Sequence, residues 1–455
     1  MPRFQSKKLE KEVVLRDPVH EYIHIEDKVI LDVLKTKEFQ RMRRIKQLGP
    51  ISYVFPGATH TRFEHNLGVY ELTRRICNIF DKKYRSQSPG DGLWNPDNRL
   101  LVECAGLLHD VGHGPYSHTF EHLFGTNHEK LGQKIITDPN TEINHALKQV
   151  APNFPELVAS VIAKTYPNPQ VVKMISSQAD ADRIDYLERD AYFTGVTYGE
   201  FDLSRILQEI RPFSGGICFT SDGMHAVEDY IVARYQMYQQ VYFHRVGRSM
   251  EVILRHLLKR AKLVYKEGQL EVTPSLAKFL DDNWTLDDYL KLDDGVMESN
   301  FSMWTNSADP ILADLSVRYL YRKPFASVKI NKETQNLLPK LRNLIKQAGF
   351  DPEYYTDTNS AFDEPYDAYK PTGKNANSQI EIMQDDGNLI ELSQLSPLIR
   401  ALNGTMQGDE RFFFPKIMLS NDDEPQIFDP LYQEFQKYVK NGELRYIRRP
   451  KKTEK

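Results

Sequence analysis

Cysteine is scarce in this sequence of 455 residues, which has only Cys77, Cys104 and Cys218, all far apart. An odd and scattered set predicts neither a disulfide framework nor a structural zinc site. Long apolar runs are also missing, since no stretch approaches the roughly 20 residues that a membrane-spanning helix needs. The opening residues, MPRFQSKKLEKE, lack the apolar core of a signal peptide. We therefore expect a cytoplasmic protein with no membrane association.

An excess of positive charge is absent too, because the formal net charge is −4. A chain of that charge has no overall basic field to attract nucleic acid or an anionic membrane. The hydrophobic content of 40% and the charged content of 27% are ordinary for globular proteins. The length allows roughly two to four domains.

Apolar residues recur at helical spacing over most of the sequence up to about residue 320. Near the N-terminus, residues 12–25 (EVVLRDPVHEYIHI) are predicted to form short extended segments. Four later segments are predicted to be strands: ASVKI (326–330), SQIEIM (378–383), NLIELS (388–393) and RFFFPKIM (411–418). We therefore predict a mainly α fold, with a helical core and N-terminal short strands over residues 1–330. A smaller α+β region is predicted over residues 331–455, and its polar segment 356–378 resembles a linker.

Histidine is unusually dense in one short segment of this sequence, where it also stands next to an aspartate. The stretch AGLLHDVGHGPYSH (105–118) holds three histidines and one aspartate directly after an apolar run. His109 and Asp110 are adjacent there, and the glycines that follow let the chain turn away from the end of a helix. With His65 on an earlier predicted helix and Asp182 on a later one, two imidazoles and two carboxylates are available for one divalent ion. Such a set suits Mn, Fe, Zn, Co or Ni, and Mg less well.

A second cluster, ADADRIDYLERD (179–190), places four aspartates on one predicted helix. Ile184 and Leu187 interleave with the charges, so the helix is expected to be at least half buried. Buried carboxylates need a metal ion or another cation as a partner. This cluster therefore supports Asp182 as a metal ligand, although a solvated acidic helix is the alternative.

Together these motifs resemble the HD-domain metal-dependent phosphohydrolases. The phrases RIKQLGPISYVFPGATHTRFEHNLGVY, AGLLHDVGHGPYSH, NHEKLG, DRIDYLERD and YQQVYFHRVG are similar to the deoxynucleoside triphosphate (dNTP) triphosphohydrolases within that superfamily. The resemblance is to the branch of the vertebrate sterile-alpha-motif and HD-domain dNTPase and its bacterial relatives, and it spans residues 12–330. It implies an HD-domain helical core and an enzyme that hydrolyses a dNTP to a deoxynucleoside and inorganic triphosphate.

The resemblance also implies roles for individual residues. The implied metal ligands are His65, His109, Asp110 and Asp182. The implied substrate contacts are Gln47, Leu48, Arg62, Arg183, Tyr186, Asp190, Arg234, Tyr238 and Tyr242. Within that set, Gln47 and Leu48 disfavour a ribose 2′-hydroxyl, the arginines meet phosphate, and Tyr238 stands where the vertebrate relative has histidine. His113, His118 and His128 surround the α-phosphate.

The chemistry of the leaving group adds a hypothesis about these histidines. Attack on the α-phosphorus expels the 5′-oxygen of the deoxynucleoside, a poor leaving group that needs a proton. His118 and Glu121 are three residues apart, hence adjacent on one helical face, so the carboxylate can hold the imidazole in its charged form. We predict that His118 is the general acid and Glu121 orients it, while His113 and His128 stabilise phosphoryl charge.

Regulation and assembly follow from the resemblance as well. Relatives in this branch are homotetramers with activating nucleotides at subunit interfaces, so a homo-oligomer and a dNTP activator are expected here. Arg16, Gln40 and Arg43 are the candidate allosteric residues. Lys35 stands where the vertebrate relative has the acidic residue that reads guanine, which argues against the same activator rule.

Two alternatives stay open at this point. An HD phosphodiesterase or nucleotidase would act on other phosphate esters, but the set Arg62, Arg183 and Arg234 is more cationic than a monophosphate needs. A non-enzymatic protein would use the same scaffold to bind nucleotides or single-stranded nucleic acid, a partner that the enzymatic prediction allows but does not require. All four implied metal ligands are present, which favours the enzyme.

Overall fold

The computed structural model describes residues 4–116, 118–360, 379–402, 409–419 and 430–446, except for the side chains of His118 and Ser360. Helix is the main element, which confirms the prediction of a mainly α fold. The helices are α1 (Lys28–Lys35), α2 (Lys37–Arg41), α3 (Arg62–Lys83), α4 (Arg99–Leu108), α5 (His118–Phe124), α6 (His128–Thr137), α7 (Glu142–Lys148), α8 (Phe154–Ile162), α9 (Pro169–Ile175), α10 (Ala181–Thr194), α11 (Leu203–Glu209), α12 (Met224–Met237), α13 (Arg245–Lys266), α14 (Pro274–Leu280), α15 (Leu286–Leu290), α16 (Asp294–Trp304), α17 (Pro310–Leu320), α18 (Leu338–Gln347), α19 (Pro352–Tyr355), α20 (Leu392–Leu395), α21 (Pro397–Leu402) and α22 (Pro430–Gln436). The strands are β1 (Lys8–Asp17), β2 (Glu21–Asp27), β3 (Ile210–Phe213), β4 (Gly216–Thr220), β5 (Ala326–Ile330), β6 (Asp357–Ser360), β7 (Glu381–Met383), β8 (Leu389–Glu391), β9 (Glu410–Phe414), β10 (Val439–Lys440) and β11 (Glu443–Leu444).

The chain forms two compact units that interleave along the sequence. The first unit comprises Met1–Tyr238, Trp284–Gly295 and Glu364–Thr405. The second comprises Gln239–Asn283, Val296–Asp363 and Met406–Lys455. The boundary proposed near residue 330 stays a prediction about domain organisation.

Helix α3 packs against both α4 and α10 in the first unit. Thr61 begins α3 with a capping box, in which its backbone N–H donates to the Glu64 carboxylate at 2.8 Å. Asp180 begins α10 by accepting a hydrogen bond from the Arg183 N–H at 2.7 Å. These caps fix the first turn of each helix. Gly68 of α3 is required by this packing, since a Cβ atom there would lie 1.7 Å from Oδ1 of an aspartate on α10.

Two sheets belong to the first unit. Strands β1 and β2 form an antiparallel hairpin, in which Val14 pairs with His24. The other sheet has the order β3-β4-β7-β8, and β4 and β7 are parallel. Strands β7 and β8 lie in two of the late segments predicted to be strands, yet they extend the β3–β4 hairpin from the middle of the chain.

The second unit contains a five-stranded sheet with the order β10-β11-β5-β9-β6. Its core includes buried side chains from β5, β9, α18 and α22, among them Val328, Phe412, Leu341 and Phe435. Strand β6 occupies the start of the segment predicted to be a linker, and residues 361–378 of that segment lie outside the described residues.

Within the described ranges, no helix has the length and apolar character needed to cross a bilayer.

Candidate metal centre and active site

Three of the four predicted metal ligands converge in the first unit. His65 lies in the first turn of α3, His109 directly follows α4, and Asp182 lies in the first turn of α10. The Nε2 atoms of the two histidines are 3.2 Å apart, and Asp182 Oδ1 is 3.2 Å from His65 Nε2 and 3.6 Å from His109 Nε2. One ion can therefore contact all three ligand atoms.

Asp110, the fourth predicted ligand, borders this cluster. Its Oδ2 lies 3.7 Å from His65 Nε2, and its Oδ1 lies 3.5 Å from His109 Nε2. Arg62 forms an ion pair with the same carboxylate, and His113 Nε2 is 3.3 Å from Oδ1. Asp110 thus joins the three-residue cluster to a cationic and imidazole-lined side of the site.

The outer contacts of the two histidines fit a metal site. Asp185 Oδ2 is 2.7 Å from His65 Nδ1, and the Gly106 carbonyl oxygen is 2.8 Å from His109 Nδ1. With a proton on each Nδ1, both Nε2 lone pairs face the cluster, which is the arrangement that metal-bound histidines adopt. The residues present therefore fit a divalent ion bound by nitrogen and carboxylate oxygen.

Electrostatics in the cluster favour added positive charge. Burial acts to lower the pKa of His65, but hydrogen bonds to Asp182 and Asp185 outweigh it and raise that pKa to about 10. The pKa of His109 is also raised against burial, chiefly by the charge of Asp110. Burial acts to raise the pKa of Asp182, and the two histidines instead hold it below its usual range. A cation bound there would take the place of these protons.

A second group of side chains lies beyond Asp110. The Glu121 carboxylate accepts a hydrogen bond from the His128 backbone N–H at 2.5 Å and lies 2.8 Å from His128 Nδ1. The rings of His113 and His128 stack with centroids 3.8 Å apart and planes 13° apart. Because the two rings are nearly parallel, their nitrogen lone pairs lie in separate planes and do not converge on one point. This group therefore suits hydrogen bonding better than binding of a second metal ion.

The structure describes His113 in full and only the backbone of His118, and the catalytic role of each stays a prediction. His113 is buried, and its pKa is lowered to about 3 by burial first and by the charge of Arg62 second. The side chain of His118 lies outside the described structure, so its role as general acid, with Glu121 as its orienter, stays a prediction.

Two of the three predicted phosphate-binding arginines lie near the N-terminus of α10, whereas Arg62 pairs with Asp110. Arg183 forms an ion pair with Asp180 at 2.6 Å, and Arg234 donates to the Gln178 side-chain oxygen at 2.7 Å. The Tyr186 hydroxyl, 3.4 Å from that of Tyr238, interacts electrostatically with both guanidinium groups. Two like charges therefore lie beside one aromatic side chain.

The predicted sugar contacts are connected through a histidine. The Gln47 backbone N–H donates to the His60 carbonyl at 3.1 Å, and His60 Nε2 lies 2.7 Å from Asp190 Oδ1. The Gln47 side-chain oxygen is buried, and it has no hydrogen-bond partner among the described residues. Leu48 follows and is 7% exposed. This region thus presents an acceptor and an apolar side chain close together in sequence.

Four further residues were predicted to bind substrate or an activating nucleotide. Tyr242 ends the π-helical turn Tyr238–Tyr242 and belongs to the second unit. Arg43 Nε donates to Gln40 Oε1 at 3.0 Å, whereas Arg16 packs over the Tyr22 ring of its own hairpin at 4.6 Å. The allosteric role of Arg16, Gln40 and Arg43 stays a prediction.

Some residues of the site were not predicted to be functional. Asp185 holds His65 and also contacts His20 Nε2 at 2.6 Å and Arg189 Nε at 2.9 Å. Its position three residues after Asp182 and four before Arg189 is a helical spacing that could have indicated this role. No comparable sequence signal identifies His60, which holds Asp190.

Comparisons with known proteins agree with this geometry. The HD domain family matches residues 62–190, and the HD associated region matches residues 201–348. Protein YwfO of Bacillus subtilis (strain 168) is 45% identical over 419 residues, covering 91% of this chain and 95% of that protein. The deoxynucleoside triphosphate triphosphohydrolase SAMHD1 homolog of Dictyostelium discoideum is 31% identical over 283 residues, covering 59% of this chain and 53% of that protein. The crystal structure of a phosphohydrolase from Bacteroides thetaiotaomicron VPI-5482 has a TM-score of 0.75 and 27% identity, covering 88% of this chain and 99% of that chain.

Proposed function

The chain belongs to the HD-domain family of metal-dependent phosphohydrolases, and from that premise we propose that it hydrolyses dNTPs to a deoxynucleoside and inorganic triphosphate. The observation that carries this choice of substrate is Arg234. Its side chain is buried with a relative exposure of 5%, its Nη1 donates to the neutral amide of Gln178, and its Nε has no partner among the described residues.

A buried guanidinium without a carboxylate partner is unfavourable by several kcal/mol unless an anion meets it. Arg183 lies near enough to Arg234 for their like charges to interact, and Tyr186 lies beside both. A triphosphate, with about four negative charges at neutral pH, meets more than one guanidinium at once. Arg183 already pairs with Asp180, so the preference for a polyphosphate rests on its reach, since successive phosphate groups can contact Arg183 and Arg234 separately.

The sugar end of the substrate is assigned to Gln47, Leu48 and Asp190. A 3′-hydroxyl can donate to the Asp190 carboxylate, which His60 already orients. The buried Gln47 side-chain oxygen has no donor among the described residues, and we assign to the neighbouring buried Leu48 the crowding of a ribose 2′-hydroxyl that the resemblance implies. These contacts support a preference for deoxynucleotides.

The site residues then divide the chemistry. His65, His109, Asp110 and Asp182 would hold a divalent ion, which supplies Lewis acidity and lowers the pKa of a water molecule. Arg183 and Arg234 bind phosphate oxygens and keep the α-phosphorus in position. His113 and His128 stabilise charge on the α-phosphate, and His118 gives a proton to the departing 5′-oxygen.

Regulation is part of the proposal. From the resemblance of the sequence motifs to the dNTP triphosphohydrolases, we propose activation by a bound nucleotide and a homo-oligomer, with a tetramer as the expected form. Arg16, Gln40 and Arg43 are the residues assigned to the activating site. Arg16 is exposed on the hairpin, where it is accessible to a second copy of the chain.

The test uses the purified full chain with each dNTP singly and in pairs, in the presence of Mn or Mg. Ion chromatography should show tripolyphosphate and a deoxynucleoside, and no pyrophosphate. Release of orthophosphate or pyrophosphate, or turnover of cyclic nucleotides and monophosphates alone, would point to a different phosphohydrolase. Salt-dependent binding of single-stranded nucleic acid without any turnover would point to a binding protein.

One substitution tests the assignment of the triphosphate. Arg234→Gln should raise KM for a dNTP at least about 10-fold, because a charge-assisted hydrogen bond to phosphate is lost. The control is Arg205→Gln, since Arg205, whose side chain is 41% exposed, pairs with Glu209 on helix α11 and should leave KM unchanged. An Arg234→Gln enzyme with an unchanged KM would contradict the phosphate assignment.

A further inference from the structure

The segment Trp284–Gly295 has an unusual place in the chain. Both flanking stretches, Gln239–Asn283 and Val296–Asp363, belong to the second unit, whereas this short segment with helix α15 is built into the first unit. It also lies inside the HD associated region, outside the HD domain match that contains the metal ligands. We call Trp284–Gly295 the brace segment.

Tyr289 of the brace segment contacts the loop that follows the His109-Asp110 pair. Its hydroxyl donates to the Gly112 carbonyl oxygen at 2.7 Å. A Cβ atom at Gly114 would lie 2.8 Å from the same hydroxyl and 3.4 Å from the ring, so the loop passes directly over Tyr289. Tyr289 is itself fully buried. This contact therefore fixes the backbone immediately before and after His113.

Arg41 joins the brace segment to His113. Its Nε donates to the Leu292 carbonyl oxygen, and its Nη1 donates to the His113 carbonyl oxygen, both at 2.9 Å. The guanidinium also lies over the Tyr289 ring, 4.9 Å from the centroid. Arg41 is 1% exposed, so its hydrogen bonds form away from competing water. Two consecutive carbonyl groups, those of residues 112 and 113, are thus held by buried donors.

Asp294 of the brace segment accepts hydrogen bonds from backbone N–H groups in two separate parts of the first unit. Its Oδ1 accepts from the Tyr116 N–H at 3.3 Å, at the end of the His113 loop. Its Oδ2 accepts from the Lys46 N–H at 2.9 Å, one residue before Gln47. One buried carboxylate therefore spans the loop on the phosphate side and the segment on the sugar side.

We propose that the brace segment is a positioning element for the hydrolytic site, in which Tyr289, Asp294 and Arg41 set the location of His113. The His113 side chain makes two close contacts: its ring stacks on His128, and its Nε2 lies 3.3 Å from Asp110. A shift of the backbone at residue 113 would change both contacts. A displacement of about 1 Å at such a group can lower turnover by up to about 100-fold. The inference rests on the phosphohydrolase function only for its kinetic readout.

The test compares Tyr289→Phe with Tyr70→Phe. Both variants remove one hydroxyl from a buried tyrosine of the first unit that donates to a backbone carbonyl, and Tyr70 donates to the His24 carbonyl oxygen at 2.8 Å. Both should lower the melting temperature by similar amounts. Tyr289→Phe should lower kcat about 10-fold with KM changed by less than about 2-fold, while Tyr70→Phe should leave kcat at the wild-type value.

A second readout is independent of any substrate. Hydrogen exchange followed by mass spectrometry should show faster exchange in peptides covering residues 110–116 for Tyr289→Phe, and wild-type exchange there for Tyr70→Phe. Failure of the proposed dNTP reaction would leave this result unchanged, and kcat would then be measured on whichever phosphate ester the wild type hydrolyses. Bound metal, measured by elemental analysis, should be equal in both variants.

A third variant keeps the proposal testable if Tyr289→Phe does not fold. Asp294→Asn retains one acceptor oxygen and the side-chain volume, and replaces the other acceptor with a donor. It should lower kcat and speed exchange in the same loop. The proposal is overturned if the folded variant at 289 or 294 keeps both wild-type kcat and wild-type exchange, or if Tyr70→Phe shows the same losses.

Discussion

Two buried histidines of the first unit lie on either side of Asp110 and have opposite acid–base properties. His65 is 1% exposed and His113 is 3% exposed, and each has its Nε2 within 3.7 Å of the Asp110 carboxylate. Even so, the pKa of His65 is raised to about 10 and that of His113 is lowered to about 3. Burial acts in the same direction on both, so the difference comes from their partners.

The partners differ in charge. His65 lies between the carboxylates of Asp182 and Asp185, whereas His113 faces Arg62 as well as Asp110. The first side of the site therefore attracts a cation, and the second keeps its imidazole neutral beside a guanidinium. A phosphate ester placed between them would meet a metal ion on one side and hydrogen-bonding groups on the other.

Removing a carboxylate from the cation-binding side should have the largest effect. Asp182→Ala takes one negative charge from the cluster and leaves His65 and His109 without their shared acceptor. We expect the bound metal to fall below about one tenth of the wild-type content and turnover to fall at least about 1,000-fold. Elemental analysis of the purified protein and a product assay measure the two quantities.

The control for Asp182→Ala is Asp282→Ala. Asp282 pairs with Lys262 and its side chain is 59% exposed, so its removal should change neither metal content nor turnover. Retention of a full metal complement by a folded Asp182→Ala protein would show that the three-residue cluster is not what holds the ion, and the contrast between the two sides would then lose its basis.

A change on the second side should separate activity from metal binding. Glu121→Gln keeps an acceptor oxygen for His128 but removes the negative charge beside its Nδ1. We expect kcat to fall about 10- to 100-fold while metal content stays at the wild-type value. Steady-state kinetics and elemental analysis on the same preparation measure kcat and metal content.

A glutamate–histidine pair on helix α12 provides the control for Glu121→Gln. Glu228, whose side chain is 13% exposed, lies 2.7 Å from Nδ1 of His225, whose side chain is 84% exposed, and Glu228→Gln should leave kcat unaltered. If Glu121→Gln lost bound metal as well as activity, the residues around His113 would contribute to metal binding. The cation-binding side and the His113 side of the site would then not have separate roles.

Much of this arrangement could be predicted from the sequence, for identifiable reasons. The pairs His65 with Asp182 and His109 with Asp110 belong to motifs whose residue types restrict their chemistry, and the structure brings three of the four within 4.8 Å of one another. The mainly α fold follows from the spacing of apolar residues, which reports local geometry. Both predictions depend on short stretches of sequence.

The rest depends on contacts between distant segments. Periodicity shows that α10 is partly buried but not that its Asp185 meets His65 across the contact made at Gly68. Tyr289 donates to a carbonyl 177 positions earlier, and the Asp294 carboxylate accepts from the Tyr116 N–H, 178 positions earlier. Backbone carbonyl and N–H groups carry no side-chain signature, so no motif identifies these partners in advance.

The smallest predicted effect tests whether partners rather than burial set these pKa values. Glu188 lies one turn after Asp185 on α10, and its pKa is raised to about 8, first by burial and second by the charge of Asp185. Arg75 and Arg189 act in the opposite direction without restoring the usual value. Asp185, which His65, His20 and Arg189 surround, has a pKa well below its usual range despite burial.

The direction of the pH dependence follows from the sign of this shift. A carboxyl with a usual pKa of 4.5 that titrates near 8 in the folded chain binds its proton more tightly when folded. Its stabilising contribution is complete below about pH 4.5 and is lost as the pH rises through 8. Glu188→Gln has no such loss, so it should match the wild type near pH 5 and be more stable near pH 8.5, by on the order of 1–3 kcal/mol.

Thermal unfolding at the two pH values measures this difference, and Glu129→Gln is the control. Glu129 is exposed and pairs with Lys164, so its replacement should shift the melting temperature little and equally at both pH values. A Glu188→Gln protein whose stability relative to wild type is the same at pH 5 and pH 8.5 would show that Glu188 titrates normally. Burial beside Asp185 would then be insufficient to shift a neighbouring carboxyl, and the role given to the partners of His65 and His113 would need another explanation.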